Sequence, residues 1–171
     1  DRVRELSRLT DRIGFVATAV GDHPDLAIIL EECLASGLQP SVSSLRIPAM
    51  RPEILRLLAR AGARSVTIAP EAGSDGLRSR LGKDISTEAI LEAVETAQSC
   101  GLSSLKMYFI VGLPGETDGD LDAIGDLLRA TRSVMDLEGR RRGRAGGLRA
   151  TLSLLVPKPY TPYRREPMLD R

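Results

Sequence analysis

The chain has 171 residues, of which 42% are hydrophobic, 27% charged and only 3% aromatic, and its formal net charge is +1. This length supports one domain with a sizeable core, which in the absence of tryptophan must be built from Leu, Ile, Val and Ala. The balanced charge gives no general pull toward nucleic acid or membrane surfaces, and no apolar run approaches the roughly 20 residues of a membrane span.

Taken in order, residues 1–11 read as the end of a helix through Val3, Leu6 and Leu9. Residues 13–19 form an apolar strand, after which Asp22 is placed as an N-cap with Pro24 in the first helical turn. Leu26, Ile29, Leu30, Cys33 and Leu34 then recur at helical spacing, and Gly37 stops the helix. The cycle repeats with a strand over 41–47, a helix opened by Pro52 and closed by Gly62, and a strand over 65–69. A longer loop over 70–84 holds a short helical turn, and a helix from Thr87 ends at Gly101. The fourth strand covers 105–111 and leads to a helix, capped at Thr117, that runs to about Met135. A basic, glycine-rich loop over 139–147 precedes a fifth strand over 148–156, and residues 157–171 are proline-rich.

Strand, loop, helix and glycine in regular repetition predict βα units with right-handed crossovers, hence an α/β fold with parallel strands. A partial (β/α) barrel over 1–156 is preferred to a doubly wound sheet. Every strand is followed by polar or Gly/Pro residues (GDHP, SLRIP, APEAGS, GLPGE, PKPYTP), as one functional rim requires. Five strands cannot close a barrel, so a further strand upstream or a covering domain is expected. The start at Asp1 rather than Met points the same way.

Two loops carry the chemistry. After the fourth strand, Gly112-Leu113-Pro114-Gly115 makes a tight turn in which bare backbone can meet a flat or anionic ligand; it can equally be a plain strand-to-helix connection. After the third strand, Glu71 emerges onto the rim, Ser74 caps a short helical turn, and Lys83 returns from its far end. A carboxylate and an ammonium on one loop suit an amino acid, a ribose or a nucleoside, and they equally suit a local ion pair of little energetic weight.

The segments SVSSLRI, SVTIAPEAGSDGLRSRLGKDIS, LKMYFIVGLPGET and LSLLVPKPYTPY, in this order and spacing, resemble the radical S-adenosylmethionine (SAM) enzymes, above all bacterial members that carry a cobalamin-binding domain ahead of the barrel. The resemblance runs from about Ile13 to the C-terminus. It implies a partial six-stranded barrel of which this chain supplies the second to sixth strands. It also implies a 4Fe–4S cluster and SAM, whose one-electron cleavage yields a 5′-deoxyadenosyl radical, with cobalamin as a further cofactor on a separate domain. By the same resemblance Glu71 contacts the SAM ribose or methionyl group, Lys83 its carboxylate, and Ser44 is a polar contact. Tyr108 and the backbone of Ile110, Gly112, Leu113 and Pro114 cradle adenine. Ser74 lies on the same loop as Glu71. The implied partners are an unknown substrate, the upstream remainder of the polypeptide and an electron donor such as flavodoxin or ferredoxin, in the cytoplasm and away from membranes.

One departure matters. The family binds its cluster through CxxxCxxC after the first strand, and neither Cys33 nor Cys100 fits that spacing or position. The metal ligands are therefore expected outside this chain, which alone is expected to be inactive. Both cysteines read as reduced thiols of a cytoplasmic protein.

Other rim residues have plainer readings. His23 reads as a solvated neighbour of Asp22, with a substrate contact as the alternative, and Arg46 as one half of an ion pair, Glu71 being the partner considered, with an anionic substrate as the alternative. Glu116 either anchors the Gly112–Gly115 turn or caps the following helix, and capping is preferred. Arg140, Arg141, Arg142 and Arg144 read as a solvated loop, with RNA phosphates as the alternative partner. The segment 157–162 is read as a lid over the barrel mouth, from which Lys158 and Tyr160 reach inside. Two further readings stand beside the radical SAM enzyme: a non-catalytic barrel module that binds a nucleotide-like ligand or partner protein, and an ordinary barrel lyase, which lacks a carboxylate pair or a His-centred constellation.

Overall fold

The computed structural model describes residues 2–168. Its strands are β1 (Arg12–Phe15), β2 (Gln39–Val42), β3 (Ser65–Glu71), β4 (Ser104–Val111) and β5 (Leu148–Leu154). Its helices are α1 (Arg2–Leu6), α2 (Leu26–Ala35), α3 (Pro52–Arg60), α4 (Asp75–Arg80), α5 (Thr87–Ser99) and α6 (Asp118–Arg142). All strand pairs are parallel, and the fold is α/β with flanking helices, consistent with a partial barrel.

The strands fall into two sheets, β1-β2 and β3-β4-β5. Between them, among the described residues, one backbone bond crosses: the Leu45 N–H donates to the Thr67 carbonyl at 3.0 Å. A strand over 41–47 was expected, but β2 ends at Val42, because residues past it swing out into a short helical turn (Ile47–Ala49) that contains Pro48. The first strand likewise stops at Phe15 rather than residue 19.

The main core lies between the outer face of the sheets and the helices. It includes Leu30, Ile54, Leu55, Ile68, Ile90 and Phe109, each at most 1% exposed. Side chains alternate along β4: Leu105, Met107 and Phe109 are buried toward the helices, whereas Lys106, Tyr108 and Ile110 face inward. Each fully buried Leu- or Phe-sized side chain contributes about 1.5–3 kcal/mol, so this stripe fixes the register of the central strand. Gly37, Gly62 and Gly101 follow their helices at φ of 78°, 93° and 100°, the left-handed geometry in which glycine ends a helix at no steric cost.

Besides α1, which ends at Leu6 rather than near residue 11, two helix boundaries differ from expectation. Asp22 does not cap α2: it lies in a short helical turn (Val20–Asp22), and its carboxylate pairs with Arg46 at 2.5 Å. Asp25 occupies the N-cap, and its backbone N–H donates to Nδ1 of His23 at 3.1 Å. The second difference is α6, which runs to Arg142 instead of ending near Met135. Arg140, Arg141 and Arg142 thus form the last helical turn, where cations complement the helix dipole, and Gly143 caps the end at φ 64°. Arg141 also pairs with Glu138 at 2.5 Å, and only Arg144 of the four arginines lies in the loop.

Candidate functional site

The carboxyl ends of β1, β2 and β3 surround a cavity of about 560 Å³, with Thr18, Gly21, Ser44, Arg46, Glu71 and Lys83 among its lining residues. Glu71 is the last residue of β3, beyond a register shift that starts at Ile68, and its φ is 70°. A non-glycine residue in the left-handed region costs on the order of 1–2 kcal/mol. Its carboxylate is turned to Lys83: Lys83 Nζ donates to Glu71 Oε1 at 2.8 Å and to the Ala69 carbonyl at 2.8 Å. Both side chains are about a quarter to a third exposed, so this is neither a free surface pair nor a sealed one. Arg46 stands on the same wall but pairs with Asp22 and not with Glu71.

The loop that carries this pair is held from beneath by Arg78, whose side chain is fully buried. Its guanidinium donates to the carbonyls of Ala72 (3.0 Å), Gly73 (2.7 Å) and Ile85 (2.8 Å), to Thr87 Oγ1 (2.7 Å) and to the Asp75 carboxylate. Burial pushes its pKa down, and Asp75 opposes that shift. A planar five-donor fork is the one side chain able to gather three carbonyls and a carboxylate at once. The backbone N–H of Lys83 in turn donates to the Arg78 carbonyl at 2.9 Å, which sets where the lysine leaves the loop. Sequence reasoning missed Arg78: a six-residue helix is too short for periodicity to separate an inward arginine from an outward one.

Ser74 caps the short helix as expected. Its hydroxyl accepts the Leu77 N–H at 3.1 Å and donates to the Asp120 carboxylate, and Ser74 does not line the rim cavity. Its cap takes up one donor of the first turn of α4, the Leu77 N–H. Tyr108 is 41% exposed on the inner face of β4, and Ile110 packs on a small buried cluster of Ala72, Leu77 and Leu113. The Leu113 side chain is 4% exposed, so only its backbone can meet a ligand.

Gly112, Leu113 and Pro114 line a separate cavity of about 420 Å³, closed on one side by Glu166, Pro167 and Met168. Glu116 was assigned to capping α6, but its Oε2 accepts the Gly112 N–H at 2.6 Å and so anchors the turn. The cap is instead a box made by Thr117 and Asp120, for which Asp120 is the residue three places on. Residues 157–162 are not among those that line the rim cavity. Tyr160 is 100% exposed, Lys158 is exposed, and neither lines it.

SAM carries an ammonium, a carboxylate and a polyhydroxyl ring, and the rim cavity offers it a carboxylate, an ammonium and a hydroxyl in Glu71, Lys83 and Ser44. An iron–sulfur cluster is not served in this way. Cys33 is fully buried on α2 with its thiol pKa raised by burial, Cys100 closes α5, and no metal-ligand group of three or more side chains occurs among the described residues. Nor, among those residues, is any helix long and apolar enough to cross a membrane.

Residues 1–128 match the family described as the Radical SAM superfamily. The chain belongs to the radical SAM superfamily. An uncharacterised protein of Methanocaldococcus jannaschii is 31% identical over 156 residues, which is 91% of this chain and 32% of that protein. A tRNA-2-methylthio-N(6)-dimethylallyladenosine synthase of Sphingopyxis alaskensis is 32% identical over 83 residues, 48% of this chain and 19% of the synthase. Coproporphyrinogen III oxidase (HemN) of Escherichia coli, a radical SAM enzyme, shares the fold at a TM-score of 0.61 and 11% identity, over 92% of this chain and 36% of that one. The chain therefore spans about a third or less of the relatives it matches. None of these similarities points to the cobalamin that the sequence resemblance implied.

Proposed function

We propose that this radical SAM chain binds SAM in the rim cavity as part of an enzyme that cleaves it reductively, acting on a substrate not yet identified. The observation that carries the reading is the Glu71–Lys83 pair at the end of β3, with Ser44 across the same cavity. In this reading Lys83 takes the ligand carboxylate, Glu71 the ribose or amino group, and Ser44 a further polar contact. Gly112, Leu113 and Pro114 line the separate cavity at the end of β4 and Tyr108 and Ile110 the inner face of that strand, so in this reading the adenine extends from the rim cavity across β4 to reach them. When bound and reduced, SAM supplies the radical chemistry of the superfamily. The residues of this chain bind and orient it.

The cluster, its cysteine ligands and an electron donor of the flavodoxin or ferredoxin type belong to the proposal as parts outside this sequence, in a reducing cytoplasmic setting. The 171-residue chain alone is accordingly inactive. Titration calorimetry of the chain and of the full-length protein with SAM, ATP and a sugar phosphate tests the reading. Preference for SAM supports it, whereas preference for ATP or the sugar phosphate, with no SAM response, favours a non-catalytic nucleotide-binding barrel.

A further inference from the structure

We propose that the gap between β2 and β3 is a second binding site, which takes a small oxyanion group, phosphate or carboxylate. The two strands do not pair, and below the bond from Leu45 to Thr67 the gap opens into a cavity of about 280 Å³. Ser41, Ser43, Ser44, Thr67, Arg64 and Lys106 supply its polar lining, and no carboxylate belongs to it.

Lys106 is the half-buried cation of this site. Its neighbours Leu105 and Met107 are buried on the opposite face, so its side chain projects inward from β4. Lys106 makes no ion pair and no side-chain hydrogen bond among the described residues, in contrast to Lys83 with its two acceptors. Arg149 stands opposite Lys106 in the β4–β5 register and is likewise without an acidic partner there. Like charges side by side on neighbouring strands repel, and a half-buried ammonium costs stability unless a counter-charge meets it. No acidic side chain among the described residues meets Lys106, whereas an oxyanion in the cavity supplies the counter-charge. Neutral hydroxyl donors around a cation are the usual company of phosphate and carboxylate oxygens.

Ser44 and Leu45 line both this cavity and the rim cavity, so a molecule anchored at Lys106 and extending past Ser44 arrives beside Glu71. The assignment does not depend on what the rim cavity binds. The test is titration calorimetry of the full-length protein with inorganic phosphate and, separately, acetate. The expected result is saturable binding of at least one anion, weakened roughly ten- to a hundredfold in Lys106→Met, restored in Lys106→Arg and unchanged in Lys83→Met. SAM binding in Lys106→Met should match wild type, which separates failure here from failure of the rim reading. If Lys106→Met does not fold, Thr67→Val and Arg64→Gln with phosphate replace it, and each should weaken binding. Absence of saturable binding of either anion to the wild-type protein overturns the proposal, as it would if an acidic side chain from outside the described residues filled the gap. Loss of anion binding in Lys83→Met with none in Lys106→Met overturns it as well.

Discussion

The Ser74 hydroxyl donates to the Asp120 carboxylate, which ties the loop after β3 to the first turn of α6. Asp120 also accepts the Thr117 N–H at 2.9 Å and its hydroxyl at 2.8 Å, and Arg80 approaches it at 3.7 Å. One carboxylate therefore completes a helix cap and fixes the base of the loop that presents Glu71 and Lys83.

Those contacts give stability a pH dependence. The bond from Ser74, then those from Thr117, hold the Asp120 carboxyl below its ordinary value. Between that lowered pKa and the ordinary value of about 3.9, the unfolded chain binds the proton more readily than the folded one. The contribution is full above the ordinary value and is lost as pH falls through the folded pKa. In Asp120→Asn, urea melts should show lower stability near neutrality, by about 1–3 kcal/mol, and a flatter loss on acidification than wild type.

Arg78 should be more sensitive. Arg78→Met leaves the carbonyls of Ala72, Gly73 and Ile85 without this donor, at about 1–3 kcal/mol for each buried acceptor left unpaired, so a loss of about 3 kcal/mol or more is expected in denaturant melts, while Asp75 keeps its bonds from Thr87. Amide exchange should accelerate across residues 72–87 before it does in β4. Arg78→Lys recovers only part of the loss, since one ammonium cannot replace the fork.

Gly73 is set by contact. A Cβ there would lie 2.3 Å from the Ile124 nitrogen and 2.6 Å from the Ala123 carbonyl carbon, both backbone atoms of α6 that cannot turn aside. Gly73→Ala should cost at least about 2 kcal/mol in a thermal or denaturant melt. Gly76→Ala, three residues on and with nothing within 4 Å, should be neutral or slightly stabilising.

Glu71 sets conformation against chemistry. At φ 70°, Glu71→Gly relieves backbone strain that Glu71→Ala retains, so the glycine variant should be the more stable of the two by about 1–2 kcal/mol. Both should lose SAM affinity equally if the carboxylate is what matters. Paired melts and titrations of the two variants separate strain from binding.

Much of this was legible from residue order. Pro52, Gly37, Gly62 and Gly101 marked helix ends by their backbone chemistry, and the apolar run over 105–111 marked a strand, which the structure shows buried on one face only. The resemblance also led to the right superfamily and to residues that do share one cavity, Ser44, Glu71 and Lys83. What stayed hidden depended on partners far along the chain. Nothing local says that Arg78 turns inward or that Ser74 gives its hydroxyl proton to Asp120 46 residues later; Glu116 is a different case, since turn anchoring was weighed for it and capping preferred. The arginine-rich end of α6 was misread as loop because it lacks an apolar stripe. Its helix is held by an arginine–glutamate pair and a terminal glycine instead.

The central claim is that Lys83 holds the carboxylate of SAM in the rim cavity. The direct measurement is a calorimetric cycle of wild type and Lys83→Met, each titrated with SAM and with 5′-methylthioadenosine, which lacks the amino-acid end. A charge-assisted bond predicts that Lys83→Met weakens SAM roughly ten- to a hundredfold and leaves methylthioadenosine unchanged. Equal weakening of both ligands, or none, would contradict the account.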